Sequence, residues 1–423
     1  MIIFKDLPKL YAFIIIYIVV ELSFMLFFSL MGFKGFSAIP FVRVGIIMFS
    51  GIYFLNKFVG IKIPVKVRTN ASIQDSIILF WISTAVLSLF VGAFRNNPTM
   101  YFITDFVYVF FGVTLYYVIS RDNFNLSRIT YRPMSILTNA LSVLAIICIV
   151  FSFDAPAVLL IMMSIMIYVN IIAKKQYKVL LLLLPFIIIM ASSNRTQLII
   201  FIFMLFILLL KRLNNRFSKR SVFIWAATIL TIGYVFKENI LESLFLVIDR
   251  KSNIGYRIDQ LVLIFKNGID YSDPFFTSIA QRVLEANAVI DYWTTDLFTF
   301  LFGTGSGGVI DGSKIFSDSS VLGSALLGGE KVHNIHLLPF AFLFRYGFFG
   351  LLLMIMLTIL AYKAIVRVLD EDDNLGRIFW NLFFVFWFFF SIPAGAFLWT
   401  MPIFWIALSM INHYEKNHFA YDR

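Results

Sequence analysis

Apolar residues run along this chain in long, nearly uninterrupted stretches. Most of these stretches approach the length of about 20 residues that an α-helix needs to cross the hydrocarbon core of a membrane. They cover residues 10–31, 37–56, 73–94, 101–120, 134–153, 156–173, 221–237, 334–362, 378–391 and 396–412, together with a divided region at 178–210. The pattern predicts an all-α integral membrane protein with many transmembrane helices.

The region 178–210 decides how many times the chain crosses the membrane. As one helix of about 33 residues it is too long for a single crossing without a steep tilt, and the polar run Ser192–Arg195 interrupts it. Divided there, it forms a hairpin with two short arms, each about 20 Å long. The hairpin gives about twelve spans with both termini in the cytoplasm.

The distribution of basic residues favours the hairpin. With twelve spans, 22 Lys and Arg residues lie in short cytoplasmic segments, and the short outside segments hold only Lys34, Arg95 and Arg195. Such an excess of basic residues is typical of the cytoplasmic side. A single helix at 178–210 would instead place the basic run 211–220 outside. We therefore predict the twelve-span topology.

This topology places one long segment, residues 238–333, outside the cytoplasm. The chain is then an N-terminal bundle at 1–237 with about nine spans, a large loop with short helices at 238–333, and a C-terminal part at 334–423 with about three spans. ATP and nucleotide sugars do not reach the outside of the membrane. Chemistry carried by this loop must therefore use a substrate that is already there.

Composition supports a membrane protein, and the distribution of charge argues against a nucleic-acid-binding protein. Apolar residues make up 60% of the 423 residues and charged residues 14%, against about 25% charged in soluble domains. The net charge of +11 does not indicate a nucleic-acid partner, because the basic residues lie in short loops rather than on one face. Membrane lipids are the expected surroundings. A single cysteine, Cys148, excludes an intramolecular disulfide.

Charged residues within or near the spans are candidate functional groups. Arg195, in the turn of the short hairpin, is predicted to lie below the outer membrane surface, where it needs a polar cavity or a partner. A guanidinium suits a phosphate headgroup, although an interfacial arginine without a function is an equal alternative. Asp105 and Asp154 lie near outer ends of spans and are expected to be solvated. Arg345, three turns into its span, is expected to face a cavity.

The loop ends at two histidines, His333 and His336, which lie three residues apart. No third histidine or cysteine near them completes a metal site, so no metal is predicted, although Glu330 is close in sequence. One histidine as a general base is the preferred interpretation, because an imidazole titrates near neutral pH. The alternative is an interfacial histidine without a catalytic role.

A glycine-rich run at 303–312 precedes the histidines. It lacks the adjacent Gly-Lys pair and the preceding strand of a nucleotide-binding loop. We therefore predict no nucleotide and no other cofactor. The modest interpretation is a tight glycine turn near the substrate.

Three groups of residues resemble the O-antigen polymerase and O-antigen ligase superfamily. They are Ser193-x-Arg195-x2-Leu198, Arg282 followed by Phe302-Gly303-Thr304-Gly305, and His333-Asn334 with Gly347-x2-Gly350. The resemblance covers Ala191 to Gly350, and the N-terminal half matches in hydropathy alone. It implies a multi-pass protein of the bacterial inner membrane with a GT-C-like fold and one large periplasmic loop.

The resemblance also implies an activity. Arg195 and Arg282 would bind the diphosphate of an undecaprenyl-diphosphate-linked oligosaccharide, and His333 would take the proton from the attacking sugar hydroxyl. The enzyme would be a metal-independent, inverting glycosyltransferase, and a chain-length regulator protein would be a partner. Further expected substrate contacts are Arg250, Arg257, Asn334, His336, Tyr292 and Trp293.

Two assignments stay open. Members of the family place a glycine eleven residues after the histidine, which fits His336 and Gly347, whereas His333 lies fourteen residues before Gly347. We prefer His333 because Asn334 follows it. Arg257 is the alternative to Arg282, since Ile254–Arg257 begins a similar helix.

Three functions are compared. A polymerase of repeat units is preferred to a ligase that transfers polymer to lipid A-core, because the loop carries seven basic and twelve acidic residues and a ligase site should be strongly positive. A lipid-linked oligosaccharide flippase is the alternative of another class. A flippase should show two related halves and short loops, and the long loop argues against it.

Overall fold

The computed structural model describes residues 9–30, 72–121, 131–151, 155–174, 176–192, 195–214, 253–270, 276–312, 331–370, 374–395 and 397–421, together with isolated positions between these ranges. Of the predicted spans, 221–237 is described only at isolated positions, and 37–56 lies outside the described residues. The same is true of Arg250, Asp154, and the side chains of Arg195 and Arg257.

Helices account for nearly all of the described secondary structure. Seven precede the large loop: α1 Lys9–Leu30, α2 Ile73–Phe94, α3 Thr99–Arg121, α4 Tyr131–Val150, α5 Ala157–Ile172, α6 Gln176–Ser192 and α7 Arg195–Asn214. The loop contains α8 Asn253–Asn267, α9 Thr277–Trp293 and α10 Leu297–Phe302. The C-terminal part contains α11 Leu338–Asp370, α12 Leu375–Ser391, α13 Phe397–Thr400 and α14 Pro402–Tyr421.

Five of the described helices are long and apolar enough to cross a membrane, and they are α2, α3, α4, α11 and α12. Shorter apolar helices accompany them in the first half of the chain. The predicted class, an all-α protein with several membrane-length helices, is confirmed at this level. The count of twelve spans and the orientation of the termini stay predictions.

The described helices form two compact units. Unit 1 contains α1, α4 to α8, the C-terminal end of α11 and most of α12. Unit 2 contains α2, α3, α9, α10, most of α11, the last turn of α12, α13 and α14. Each unit thus combines segments from all three of the divisions that the sequence suggested, 1–237, 238–333 and 334–423.

The predicted interruption at 178–210 is present in unit 1. Helix α6 ends at Ser192 and α7 begins at Arg195, so the region is not one long helix. Both helices pack against α5. The region therefore forms two separate helices, but with 17 and 20 residues they are longer than the arms of about 20 Å that the sequence predicted.

Helix α11 is broken inside unit 2 at Gly347, whose φ of 60° and ψ of −139° are not helical. The break frees the carbonyls of Phe344 and Arg345 from their helical partners. The backbone N–H groups of Thr304 and Gly305 donate to these carbonyls at 2.7 and 3.2 Å. A Cβ added to Gly347 would lie only 2.5 to 2.7 Å from backbone atoms of Gly303 and Leu301, so a side chain at this position would force the two segments apart.

The run Gly303–Gly308, which we call the glycine segment, is buried throughout. Gly303, Gly305 and Gly307 all have positive φ, which L-residues with side chains adopt at a cost. The Ser306 N–H donates to the Ser88 carbonyl of α2 at 2.9 Å, and the Asn97 amide donates to the Thr304 and Ser306 carbonyls. The segment is therefore a packed structural element inside unit 2 and not an open turn.

Aromatic side chains fill the core beside the break. Trp81 of α2 packs against Phe342, Trp399 and Trp405, with ring centroids 4.9 to 6.5 Å apart. Trp81 and Trp405 are fully buried and Trp399 nearly so. This cluster fixes the position of Trp399, which lies directly under the guanidinium of Arg345.

Candidate functional site

Residues 333–336, which we call the histidine segment, follow a short antiparallel strand pair. Strand β1, Ile310–Asp311, pairs with β2, Lys331–Val332, in the register Ile310 to Val332. The ladder brings the residue after β2, His333, beside the end of the glycine segment. The pairing of these two strands therefore determines the position of the segment that contains both histidines.

His333 is 8% exposed, and both of its ring nitrogens contact the protein. Nδ1 lies 2.8 Å from the Gly308 carbonyl, which can accept but not donate, so Nδ1 carries a hydrogen. Nε2 lies 3.4 Å from both Arg345 Nη2 and Asp105 Oδ1. In the neutral ring Nε2 accepts from Arg345, and in the charged ring it donates to Asp105. The Tyr101 ring stacks on the imidazole at 4.3 Å.

Arg345 and Asp105 form a buried ion pair beneath His333. Arg345 Nε lies 3.2 and 3.1 Å from the two carboxylate oxygens of Asp105, and the exposures are 2% and 8%. The Gly307 N–H donates to Asp105 Oδ2 at 2.9 Å, and the Arg345 guanidinium covers the Trp399 ring at 5.1 Å. We call these three residues the Asp105–Arg345–His333 network.

The network corrects one expectation and refines another. The expectation that Asp105 is solvated is wrong, because this carboxylate is buried and bonded to three partners. Arg345, which we expected to face a cavity, forms an ion pair with Asp105. The network links α3, the glycine segment and α11, and its chemistry is that of a structural connection.

His336 lies at i+3 from His333 and has a different environment. Its Nδ1 is 3.0 Å from the carboxylate of Glu285, which belongs to α9 and is 1% exposed. The His336 backbone N–H also donates to Glu285 Oε2 at 3.0 Å, and Gln281 donates to Oε1 at 2.8 Å. The histidine side chain remains 38% exposed. We call this pair the His336–Glu285 dyad.

The dyad fixes the tautomer of His336. A carboxylate accepts hydrogen bonds, so Nδ1 carries the hydrogen that faces Glu285. The 3.5 Å contact between Gln281 Nε2 and Nδ1 is the weaker one, because Gln281 already donates to Glu285. Nε2 then holds the lone pair, and it has no partner within the described part of the chain. His336 can accept a proton there, and His333 has no comparable free nitrogen.

Arg282 lies one turn before Glu285 on α9. Its Nη1 donates to the carbonyl and hydroxyl of Ser278 at 2.6 and 2.5 Å, and its Nε donates to the Pro393 carbonyl at 3.3 Å. Burial lowers the pKa of Arg282, and the nearby Glu285 charge opposes that shift. The group still stays charged, since a guanidinium does not deprotonate in proteins.

The partners of Arg282 decide what it can bind. Its three hydrogen-bond acceptors are neutral oxygens, and among the described residues no carboxylate forms a salt bridge with it. Nη2 is left with its two N–H donors. A fixed guanidinium with unused donors suits the oxygens of a phosphate.

Helix α9 lies across one end of unit 2. Near its N-terminus Arg282 contacts Pro393, in the turn between α12 and α13. Near its C-terminus Tyr292 accepts a hydrogen bond from Arg95 at 3.1 Å, in the turn between α2 and α3. The first turn follows the membrane-length helix α12 and the second joins the membrane-length helices α2 and α3, so α9 contacts the ends of these helices. This placement presents Arg282 and His336 at the end of unit 2.

The other predicted residues fall elsewhere. Tyr292 and Trp293 lie about 15 Å along α9 from Arg282. The Trp293 ring stacks on Phe300 at 4.6 Å and its indole N–H donates to the Phe300 carbonyl, so one ring face is covered. Asn334 is exposed, with its Oδ1 3.5 Å from Arg345 Nη2. Their contacts with substrate stay predictions.

Arg195 is the first residue of α7, in unit 1, and its side chain lies outside the described residues. The same holds for the side chain of Arg257 in α8. Of the three arginines, Arg282 is the one whose side-chain contacts the structure describes. The role of Arg195 at a diphosphate stays a prediction.

Glu285 is the residue that the sequence interpretation missed. It lies on the buried side of α9, near Ala286 and Val289. A carboxylate on the apolar stripe of an amphipathic helix is the signal that could have found it, because a buried charge needs a partner. Asp105 carries the same signal within an apolar span.

The described residues include histidine, aspartate and glutamate side chains, all of which can bind metal ions. Among those residues, no three His, Cys, Asp or Glu side chains are grouped so that they could hold a metal ion. The dyad contributes one imidazole and one carboxylate, and that carboxylate is already occupied by hydrogen bonds.

Comparison with protein-family models and with curated proteins finds no match to this chain. The chemistry of the site therefore has to be inferred from its own residues. Those residues offer one imidazole nitrogen without a partner among the described residues and one guanidinium with unused donors, both at the end of unit 2.

Proposed function

We propose that this protein is a metal-independent, inverting glycosyltransferase that polymerises oligosaccharide repeat units carried on undecaprenyl diphosphate. The reaction takes place at the extracytoplasmic face of a bacterial inner membrane, in the synthesis of O-antigen or a capsular polysaccharide. The observation that carries the proposal is the His336–Glu285 dyad, with a free Nε2, on the same end of unit 2 as Arg282. This end of unit 2 thus carries both a candidate general base and a cation suited to diphosphate.

In the proposed reaction, the hydroxyl of an acceptor sugar attacks the anomeric carbon of the donor. The bond between that carbon and the diphosphate oxygen breaks, and undecaprenyl diphosphate leaves. The hydroxyl proton passes to Nε2 of His336, and the Glu285 carboxylate stabilises the imidazolium. Arg282 offsets the charge that develops on the leaving oxygens. Attack from the opposite face inverts the anomeric centre.

This assignment moves the base from His333 to His336. Both nitrogens of His333 are committed to Gly308 and to the ion pair, whereas Nε2 of His336 is available. The spacing of eleven residues to Gly347 supports the same choice. Asn334 then belongs to the segment that connects the network to the dyad.

The proposal is tested with the purified protein in proteoliposomes. Undecaprenyl-diphosphate-linked repeat units are supplied with a chelator and without nucleotide, and products are resolved by length. We expect a ladder of polymers. Transfer only when lipid A-core is added would identify a ligase. Passage of intact donor across the bilayer without a new glycosidic bond would identify a flippase.

A second prediction concerns Arg282. If Nη2 of Arg282 donates to the diphosphate, Arg282→Lys keeps the charge but loses the planar guanidinium whose Nε and Nη1 contacts hold Nη2 in place. A hydrogen bond to a charged group contributes about 1.5–3 kcal/mol, so we expect donor affinity to fall by about 10–100-fold. Binding of a fluorescent lipid-linked donor measures this loss.

Arg95→Lys is the matched control, because Arg95 contacts the same helix through Tyr292 but lies at its far end. It should leave donor affinity close to that of the unmodified protein. Unchanged affinity in Arg282→Lys would remove the diphosphate contact from the proposal and leave Arg282 a structural link to Pro393.

A further inference from the structure

Helix α10 carries large apolar side chains on its exposed side. Leu297 is 73% exposed and Phe298 is 41% exposed, and Phe94, at the end of α2, is 80% exposed. Contact between this much apolar surface and water is unfavourable. They lie together, since the Phe94 and Phe298 rings are 6.2 Å apart.

This apolar surface is continuous with the outer sides of membrane-length helices. Ring contacts run from Phe298 to Phe302 at 5.1 Å and from Phe302 to Phe349 of α11 at 5.8 Å. Phe349 in turn lies 6.4 Å from Phe80 of α2. On α11 the exposed positions continue with Leu351 and Ile355. The face of α10 thus continues the exposed apolar surface of α2 and α11, two helices long and apolar enough to cross a membrane.

A polar boundary lies directly before α10. Thr294, Thr295 and Asp296 are exposed. The Thr299 backbone N–H and hydroxyl donate to Asp296 at 2.8 and 2.7 Å, and these hydrogen bonds hold the pKa of Asp296 below its usual value. A charged carboxylate therefore precedes an exposed leucine without any spacer.

Groups typical of a membrane interface lie at the same boundary. Arg95 donates to the Tyr292 hydroxyl and to Thr299, and its guanidinium lies 5.9 and 5.5 Å from the Tyr292 and Phe298 rings. Trp293 is the next residue. Tyrosine, tryptophan and arginine are enriched where hydrocarbon meets water.

We propose that Leu297, Phe298 and Phe94 bind the acyl chains of membrane phospholipids, so that α10 is an interfacial anchor. The boundary between water and hydrocarbon passes between Asp296 and Leu297. Helix α9 then lies along the membrane surface, with Arg282 and His336 near the level of the lipid headgroups. This inference concerns how the loop meets the membrane, and it does not depend on the reaction proposed above.

Site-directed spin labelling tests the anchor. Cys148 is the one cysteine of the chain, so a Cys148→Ala background allows single nitroxides at Leu297→Cys and Thr294→Cys in the full-length protein. The protein is placed in vesicles of phosphatidylethanolamine and phosphatidylglycerol. Collision rates are measured with oxygen, which concentrates in hydrocarbon, and with a water-soluble nickel chelate.

The nitroxide at 297 should collide often with oxygen and rarely with nickel, and the matched nitroxide at 294 should show the reverse. Phe94→Cys provides a second apolar probe and should behave as 297 does. Nickel collisions at 297 and 94 equal to those at 294 would overturn the anchor. Low collision rates with both reagents would also overturn it, because protein and not lipid would then cover the surface.

Discussion

Replacing His336 by alanine should lower the rate of polymer formation by about 10²–10⁴-fold, the usual contribution of a positioned general base. The variant should still bind the lipid-linked donor, because Arg282 and its contacts with Ser278 and Pro393 do not involve the imidazole. Polymer formation and donor binding, measured on the same preparation, separate the two effects. A loss of rate without a loss of affinity is the expected result.

His333→Asn is the control for this experiment. An asparagine amide can still donate to the Gly308 carbonyl, as Nδ1 of His333 does at 2.8 Å, so the segment should stay in place and turnover should remain measurable. A folded but inactive His333→Asn protein, together with an active His336→Ala protein, would return the base to His333. It would also show that the His-Asn pair marks the catalytic position.

Replacing Asp105 by asparagine should have the largest effect on stability. The Arg345 guanidinium would stay buried without its counter-charge, and removing one partner of a buried ion pair costs about 3–5 kcal/mol. We expect a marked fall in the temperature of unfolding in detergent. Activity should fall only as far as the folded fraction does, because neither Asp105 nor Arg345 is assigned to the reaction.

Two further variants make that result specific. Asp105→Asn combined with Arg345→Met removes both charges and should recover much of the loss, as replacement of whole buried pairs often does. Lys416→Met breaks the partly exposed pair with Asp75, whose side chains are 30% and 24% exposed, and should cost about 0–1 kcal/mol. A cost for Asp105→Asn no larger than this would contradict the buried network.

The helices of this protein could largely be predicted from apolar runs. The predicted span 73–94 is α2, Ile73–Phe94, and 101–120 lies within α3, Thr99–Arg121. The reason is local, since a run long enough to cross hydrocarbon must form its hydrogen bonds within itself. The interruption before Arg195 was visible for the same reason, because polar residues ended the run.

The candidate site could be predicted only in part, because its partners lie far apart in sequence. Asp105 meets Arg345 across 240 positions, and Glu285 meets His336 across 51. We expected Asp105 to be solvated and overlooked Glu285, because apolar patterning does not show which distant residue a carboxylate meets. Gly347 was noted for its spacing, yet the break of α11 depends on hydrogen bonds supplied by Thr304 and Gly305.

The attachment of the glycine segment to the broken helix also sets an order for biogenesis. Thr304 bonds to Phe344, which is synthesised 40 residues later, whereas Ser88 and Asp105 have been in the nascent chain for some 200 residues. At about 5–20 residues per second, α11 arrives roughly 2–8 s after the segment that it must receive. The glycine segment is therefore synthesised before the part of α11 to which it bonds, and these bonds can form only after α11 is present. Assembly of the histidine segment is accordingly a late step, which a truncated nascent chain ending before Phe344 should never reach.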